Sequence, residues 1–316
     1  MKRRDLLATL VLAPFERALA QRKSARIGVL GPSKLEHSVY SPGVVRRLGE
    51  LGYREIEYRS SEGIPELYTK YARELVALKC NLAIAIGTEQ AARALQDVRA
   101  PMPVVFLAVD YDPVEKGIVA NLRKPDRKTT GIYIPQKELV VKRMELMRDA
   151  LPSARRMMIF TDLFSRDQVE PTRKAAEAMR FELTLVDFPR KPYEYAAAFE
   201  TGRKAEVEMM MTLSSPVFSL DRNVLAELAA KHRLPAVGSS LRHADAGFLF
   251  ALGANIPKVT GRTAEIAARI LGGAKPEDIP VEQGDEFELV VNAKTAAALG
   301  VRIPERVLAR ATRIVT

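Results

Sequence analysis

Apolar positions in this chain fall into short unbroken runs, separated by stretches with helical spacing. Residues 26–31 (Arg-Ile-Gly-Val-Leu-Gly) predict a buried first strand, followed by a helix at about 42–51 and a strand at 55–58. A helix over 66–78, a wholly apolar strand over 81–86, a helix opening after Thr88 and an apolar strand over 104–109 complete the first series. The pattern then restarts, with helices predicted at 137–150, 168–179, 193–201 and 220–231. These alternate with strands at 156–160, 183–186, 207–213 and 236–237. Late strands at 248–251 and 288–291 enclose a helix at about 258–271. Continuous apolar runs of this length suit parallel strands covered on both faces. Strands alternating with amphipathic helices predict the α/β class with doubly wound sheets.

Two successive series predict two Rossmann-like lobes. A chain of 316 residues is long enough to give each its own core. The expected division is residues 21–132 plus about 248–285 for the first lobe, and 133–247 plus about 286–316 for the second. The first twenty residues stand apart. Lys2, Arg3 and Arg4 precede an apolar run from Leu6 to Pro14, and Ala18-Leu19-Ala20 offers a small-x-small cleavage site. This is the layout of a secretory signal over 1–20, with Arg3-Arg4 compatible with the twin-arginine route as well as the general one. The run is about half the ~20 residues that a membrane span requires, so no stable membrane insertion is expected.

The formal charge of +10 falls to +8 without the first twenty residues. Its cations are scattered among carboxylates on helix faces, which reads as a solvated surface and gives no nucleic-acid footprint. Cys80 is the only cysteine, so an intrachain disulfide, a zinc ribbon and an iron–sulfur site are all excluded. No G-x-S-x-G, H-E-x-x-H or P-loop occurs, and no enzyme activity, metal or cofactor is expected. The three histidines, His37, His232 and His243, form no recognisable constellation with a nucleophile.

Open α/β sheets bind ligands beyond the C-terminal ends of their strands. The loops at those ends are small, hydroxylated or acidic, and they supply the candidate site: Ser33, Gly87, Thr88, Asp110, Tyr111, Asp112, Phe164, Ser165, Ser214, Ser215 and Ser240. Gly87-Thr88 opens a helix, and a helix N-terminus attracts a carboxylate. Asp110 and Asp112 are complements for a ligand ammonium, with an Asx-turn before Pro113 as the competing role. The serines suit neutral hydrogen bonds to a small ligand. Tyr111 and Phe164 suit an apolar or aromatic group.

Several segments together resemble the ABC-transporter substrate-binding proteins of the tryptophan/tyrosine-binding type. They are Arg26-Ile-Gly-Val-Leu-Gly-Pro-Ser33, Leu48-Gly-Glu-Leu-Gly-Tyr53, Ala85-Ile-Gly-Thr88, Asp112-Pro113, Thr130-Gly131, residues 225–236, residues 270–283 and residues 287–292. The resemblance covers about residues 25–313 and implies a type I periplasmic-binding fold, with two lobes joined by a hinge and closing over one small molecule. It further implies a periplasmic, monomeric receptor that delivers an amino acid or related carboxylate to an ABC permease and ATPase. A ligand-sensing module for a membrane signalling partner is the alternative use of the same fold. The loop Asp162-Leu163-Phe164-Ser165 departs from the Asn-Pro-rich sequence usual at this place in the family.

Overall fold

The computed structural model describes residues 24–109, 111–125 and 128–316. The expected signal segment over 1–20 and the candidate Asp110 lie outside the described residues. The chain divides into two compact units. The first comprises the residues up to Ala108 with Asp112–Tyr133 and Ile256–Glu282, and the second Val109–Tyr111, Ile134–Asn255 and Gln283–Thr316.

In the first unit, strands β1 (Ile27–Gly31), β2 (Ile56–Ser60), β3 (Leu82–Gly87), β4 (Val104–Ala108) and β5 (Thr129–Tyr133) join the two-residue strand β11 (Glu282–Gln283). The sheet order is β11-β5-β4-β3-β1-β2. The pairs β1/β2, β1/β3, β3/β4 and β4/β5 are all parallel. Every residue of β1, β3 and β4 is buried, as their apolar runs require. Strand β5 (Thr-Thr-Gly-Ile-Tyr) has no such run and escapes a periodicity argument. It is accommodated because the buried Thr130 hydroxyl donates to the Ile279 carbonyl at 2.7 Å.

The helices Ser41–Glu50 and Ile256–Leu271 pack together in this unit, and Pro65–Ala77 packs with Glu89–Asp97. The first pair approaches closely. A Cβ on Gly43 would lie 2.5 Å from Thr260 Oγ1, so only glycine admits that separation. Arg262 pairs with Glu282 and Glu265, both at 2.6 Å, and Arg47 pairs with Glu265 at 3.0 Å. These partners are about one-third exposed, so solvent screens each pair and leaves it a small contribution. The apolar face of Ile256–Leu271, including Val259, Ala264, Ile266 and Ala267, carries the larger share.

The second unit holds β6 (Arg156–Asp162), β7 (Glu182–Phe188), β8 (Met209–Thr212), β9 (Ala236–Gly238), β10 (Phe250–Ala254), β12 (Phe287–Asn292) and β13 (Arg313–Val315). The order is β13-β12-β10-β9-β8-β6-β7. The pairs β6/β7, β6/β8, β8/β9 and β9/β10 are parallel, and β10/β12 is antiparallel. One face of this sheet rests on an aromatic core. Phe160 lies 5.1 Å from Phe188 and 5.6 Å from Phe199 between ring centroids, both edge-on, and Phe188 lies 4.9 Å from Tyr193.

One expected boundary is corrected. The first lobe was expected to regain the chain at about 248. However, β10 pairs with β9 and β12, so residues 248–255 stay with the second unit and the return begins at Ile256. An apolar run such as Phe248–Ala251 fits a buried strand in either sheet; its backbone partners decide which. The expected helix over 220–231 forms as Arg222–Lys231, and a short helix, Pro216–Leu220, precedes it.

Candidate functional site

Each sheet contains one place where neighbouring strands send their following segments in opposite directions. In the first unit, β1 lies between β2 and β3, and in the second, β6 lies between β7 and β8. The β1/β3 and β6/β8 boundaries are therefore topological switch points, where an open α/β sheet forms a crevice beyond its strand ends.

At the β1/β3 boundary, Ser33 follows β1, while Gly87 ends β3 and Thr88 caps the helix Glu89–Asp97. Gly87 has φ +96°, and a Cβ there would stand 3.1 Å from Pro32. A side chain would strain the backbone and separate these two loops. Thr88 is buried and holds the N-cap position with an extended backbone, but its hydroxyl makes no capping bond. Its Oγ1 instead lies 3.2 Å from Tyr68 Oη. The buried phenol, and not a first-turn amide, engages that oxygen. The first-turn amides of this helix are the groups that attract an anion, and they do so with or without the hydroxyl.

Ser33 is buried, and its carbonyl lies 2.6 Å from Tyr58 Oη. That phenol is also 3.0 Å from Ser41 Oγ, while Ser38 Oγ donates to Ser41 Oγ at 2.8 Å and accepts from the Ser41 amide at 3.0 Å. Burial raises the Tyr58 pKa and keeps it a neutral phenol. This network shapes the loop between β1 and the helix Ser41–Glu50. Asp112, in the first unit, accepts from the amides of Val114 at 2.8 Å and Glu115 at 3.1 Å through Oδ1. The Asx-turn that competed with ligand binding is therefore formed.

Tyr111, Phe164, Ser165, Ser214, Ser215 and Ser240 belong to the second unit. Tyr111 is buried, and Phe164 is partly exposed just past β6. The β6/β8 boundary is organised by Asp162, the last residue of β6, which is fully buried. Its Oδ1 accepts from the Phe164 amide at 3.0 Å and from Ser165 Oγ at 2.9 Å. Its Oδ2 accepts from Ser215 Oγ at 2.5 Å and from Tyr193 Oη at 3.1 Å. Ser215 Oγ also accepts from the Val217 amide at 3.1 Å and so caps the helix Pro216–Leu220. The hydroxyl protons of Ser165 and Ser215 are thus committed to Asp162.

Burial raises the pKa of the Asp162 carboxyl above its ordinary value, and the hydrogen bonds from Ser215, Ser165, Tyr193 and the Phe164 amide offset only part of that rise. Beside it, Gln168 clamps the backbone of Ser214. Its Nε2 donates to the Ser214 carbonyl at 3.0 Å, and its Oε1 accepts from the Ser214 amide at 2.9 Å. Asp162, Gln168 and Tyr193 were not among the residues expected from sequence. The available signal was a charged side chain ending an apolar strand, where burial requires partners.

Ser240 is fixed by His243, whose Nδ1 lies 3.0 Å from its carbonyl oxygen and 3.2 Å from its amide nitrogen. His243 is fully buried, and burial lowers its pKa from 6.5 to about 4, with Arg143 and Arg222 acting in the same direction. The unfolded chain therefore takes up a proton at this residue between pH 6.5 and 4 while the folded chain does not. Stability is lost as pH falls through that window, by about 3 kcal/mol. Urea unfolding of wild type and His243→Gln at pH 7 and pH 4.5 checks this. The wild type should lose more stability than the variant, and equal losses contradict it.

Among the described residues, no group of three or more His, Cys, Asp or Glu side chains is placed to hold a metal ion. Nor is any helix among them long and apolar enough to cross a membrane.

Residues 29–315 match the family described as ABC transporter substrate binding protein. A tyrosine-binding protein of Clostridioides difficile (strain R20291) is 24% identical over 270 residues, spanning 82% of this chain and 76% of that protein. Among solved structures, the Streptococcus pneumoniae ABC domain in complex with L-Trp is 25% identical, with a TM-score of 0.80 over 92% of this chain and all of that one. A conserved domain protein of Vibrio cholerae gives a TM-score of 0.82 at 24% identity, over 92% of this chain and 99% of its own. These similarities establish a type I periplasmic-binding fold and a role in solute binding, with no catalysis. With a match that runs from the middle of β1 into the final strand, the chain belongs to the ABC transporter substrate-binding protein family.

Proposed function

We propose that this protein is the periplasmic receptor of an ABC importer and captures an amino acid, with L-tryptophan and L-tyrosine as the first candidates. The observation that carries the reading is the coincidence of the family match with polar, tightly built strand ends at both switch points. The tyrosine-binding relative and the L-Trp complex supply the candidate ligands. In this reading the helix N-terminus at Gly87-Thr88 receives the ligand carboxylate and Asp110 the ammonium. Ser33, Ser214 and Ser240 add neutral hydrogen bonds, while Tyr111 and Phe164 offer aromatic surface. Residues 1–20 direct export, and the permease and ATPase are the partners of a monomeric receptor.

Thermal unfolding of the chain lacking residues 1–20, measured against a panel of amino acids and small carboxylates, tests this. A ligand at one hundred times its Kd stabilises the folded state by about 2.7 kcal/mol. An aromatic amino acid should give the largest rise in Tm. A larger rise with a non-aromatic amino acid would move the ligand class, and a flat response across the panel would overturn the reading.

A further inference from the structure

The buried carboxylate of Asp162 has no ion-pair partner among the described residues, yet four donors converge on it. They are the Phe164 amide and the hydroxyls of Ser165, Ser215 and Tyr193. Neutral dipoles hold this carboxyl, and its two oxygens are the shared acceptor of all four groups.

The four donors come from three separate segments. Phe164 and Ser165 lie in the loop after β6. Ser215 begins the helix Pro216–Leu220 after β8. Tyr193 precedes the helix Tyr195–Lys204, and its ring is stacked on Phe188 of the aromatic core. One carboxylate thus ties both switch-point loops to each other and to the packed interior. It also orients Ser215 Oγ toward the Val217 amide, which fixes the start of the following helix.

We propose that Asp162 is the positioning residue of the second unit's binding loops: it holds Phe164, Ser165 and Ser215 in the geometry that receives the ligand without touching the ligand itself. This deepens, and rests on, the reading of the chain as an amino-acid receptor. Asp162→Asn keeps the volume but removes the charge and turns an N–H donor toward groups that are themselves donors. Ser215→Ala removes one of the tethers.

The test is calorimetric titration of L-tryptophan and L-tyrosine into the wild type, the two single variants and the double variant, with amide hydrogen exchange on the same proteins. Asp162→Asn should weaken binding tenfold or more, and adding Ser215→Ala should cost little further, because residues acting as one unit are not additive. Affinity within twofold of wild type, or effects of the two substitutions that simply add, overturns the proposal. Should the wild type bind neither amino acid, the ligand assignment falls by itself and hydrogen exchange decides the positioning role. The Val217 amide should exchange faster in Asp162→Asn, because Ser215 Oγ loses its acceptor, while the amides of β6 and β8 keep their protection. Unchanged exchange at Val217 overturns the proposal. If Asp162→Asn does not fold, Tyr193→Phe and Ser215→Ala each remove one donor and carry the same comparisons.

Discussion

Replacing Asp162 by alanine should destabilise the protein by about 3 kcal/mol, because it strands several neutral hydrogen-bond donors at once. The substitution leaves the buried hydroxyls of Ser165 and Ser215, and the part-buried Phe164 amide and Tyr193 hydroxyl, without their acceptor. Each stranded donor costs about 1–3 kcal/mol, offset in part because the desolvated charge also disappears and water enters the vacated space. Asp162→Asn should cost less, since its amide oxygen still receives Phe164 and Ser165. Urea unfolding at pH 7 separates the two variants. Equal stability of Asp162→Ala and wild type would mean that the carboxylate is no anchor.

Phe160→Ala should produce a loss of similar size, about 3–5 kcal/mol. Phe160 is fully buried in the middle of β6, two residues before Asp162, and its ring touches Phe188, Phe199, Tyr195 and Phe218. Truncation removes the apolar area of the ring and leaves a cavity bounded by other rigid rings, which close in less readily than aliphatic chains. Edge-to-face pairs add ~0.5–1.5 kcal/mol beyond area burial. Phe160→Leu retains most of the volume and should lose roughly half as much. Chemical denaturation measures both, and an alanine variant as stable as the leucine variant would contradict the packing described for this core.

The architecture was legible wherever burial required an apolar run. Strands β1, β3 and β4 are buried at every position, and their sequences announce it. Strand β5 was not legible. Two threonines and a glycine begin it, and the Thr130 bond to Ile279 joins residues 149 apart. The return of the chain at Ile256 was equally hidden, because strand pairing determines sheet membership and composition does not.

The candidate site divides in the same way. Strand-end logic found Ser33, Gly87 and Thr88 at one switch point and Phe164, Ser165, Ser214 and Ser215 beside the other. It did not find the residues that arrange them. Asp162 meets Tyr193 and Ser215 across 31 and 53 residues, and Gln168 reaches Ser214 across 46. Partnerships at such separations exist only in the fold. They also alter how the serines are understood: Ser165 and Ser215 give their protons to Asp162, so shaping the loops is their first role.

The central claim, a solute receptor for an amino acid, is tested most directly by what the protein carries when isolated from its native cells. Native mass spectrometry should find one small molecule per chain, released on denaturation with the mass of an amino acid, tryptophan or tyrosine first, and chemically unchanged by the protein. A released sugar, or an added amino acid converted into a product, would contradict the account.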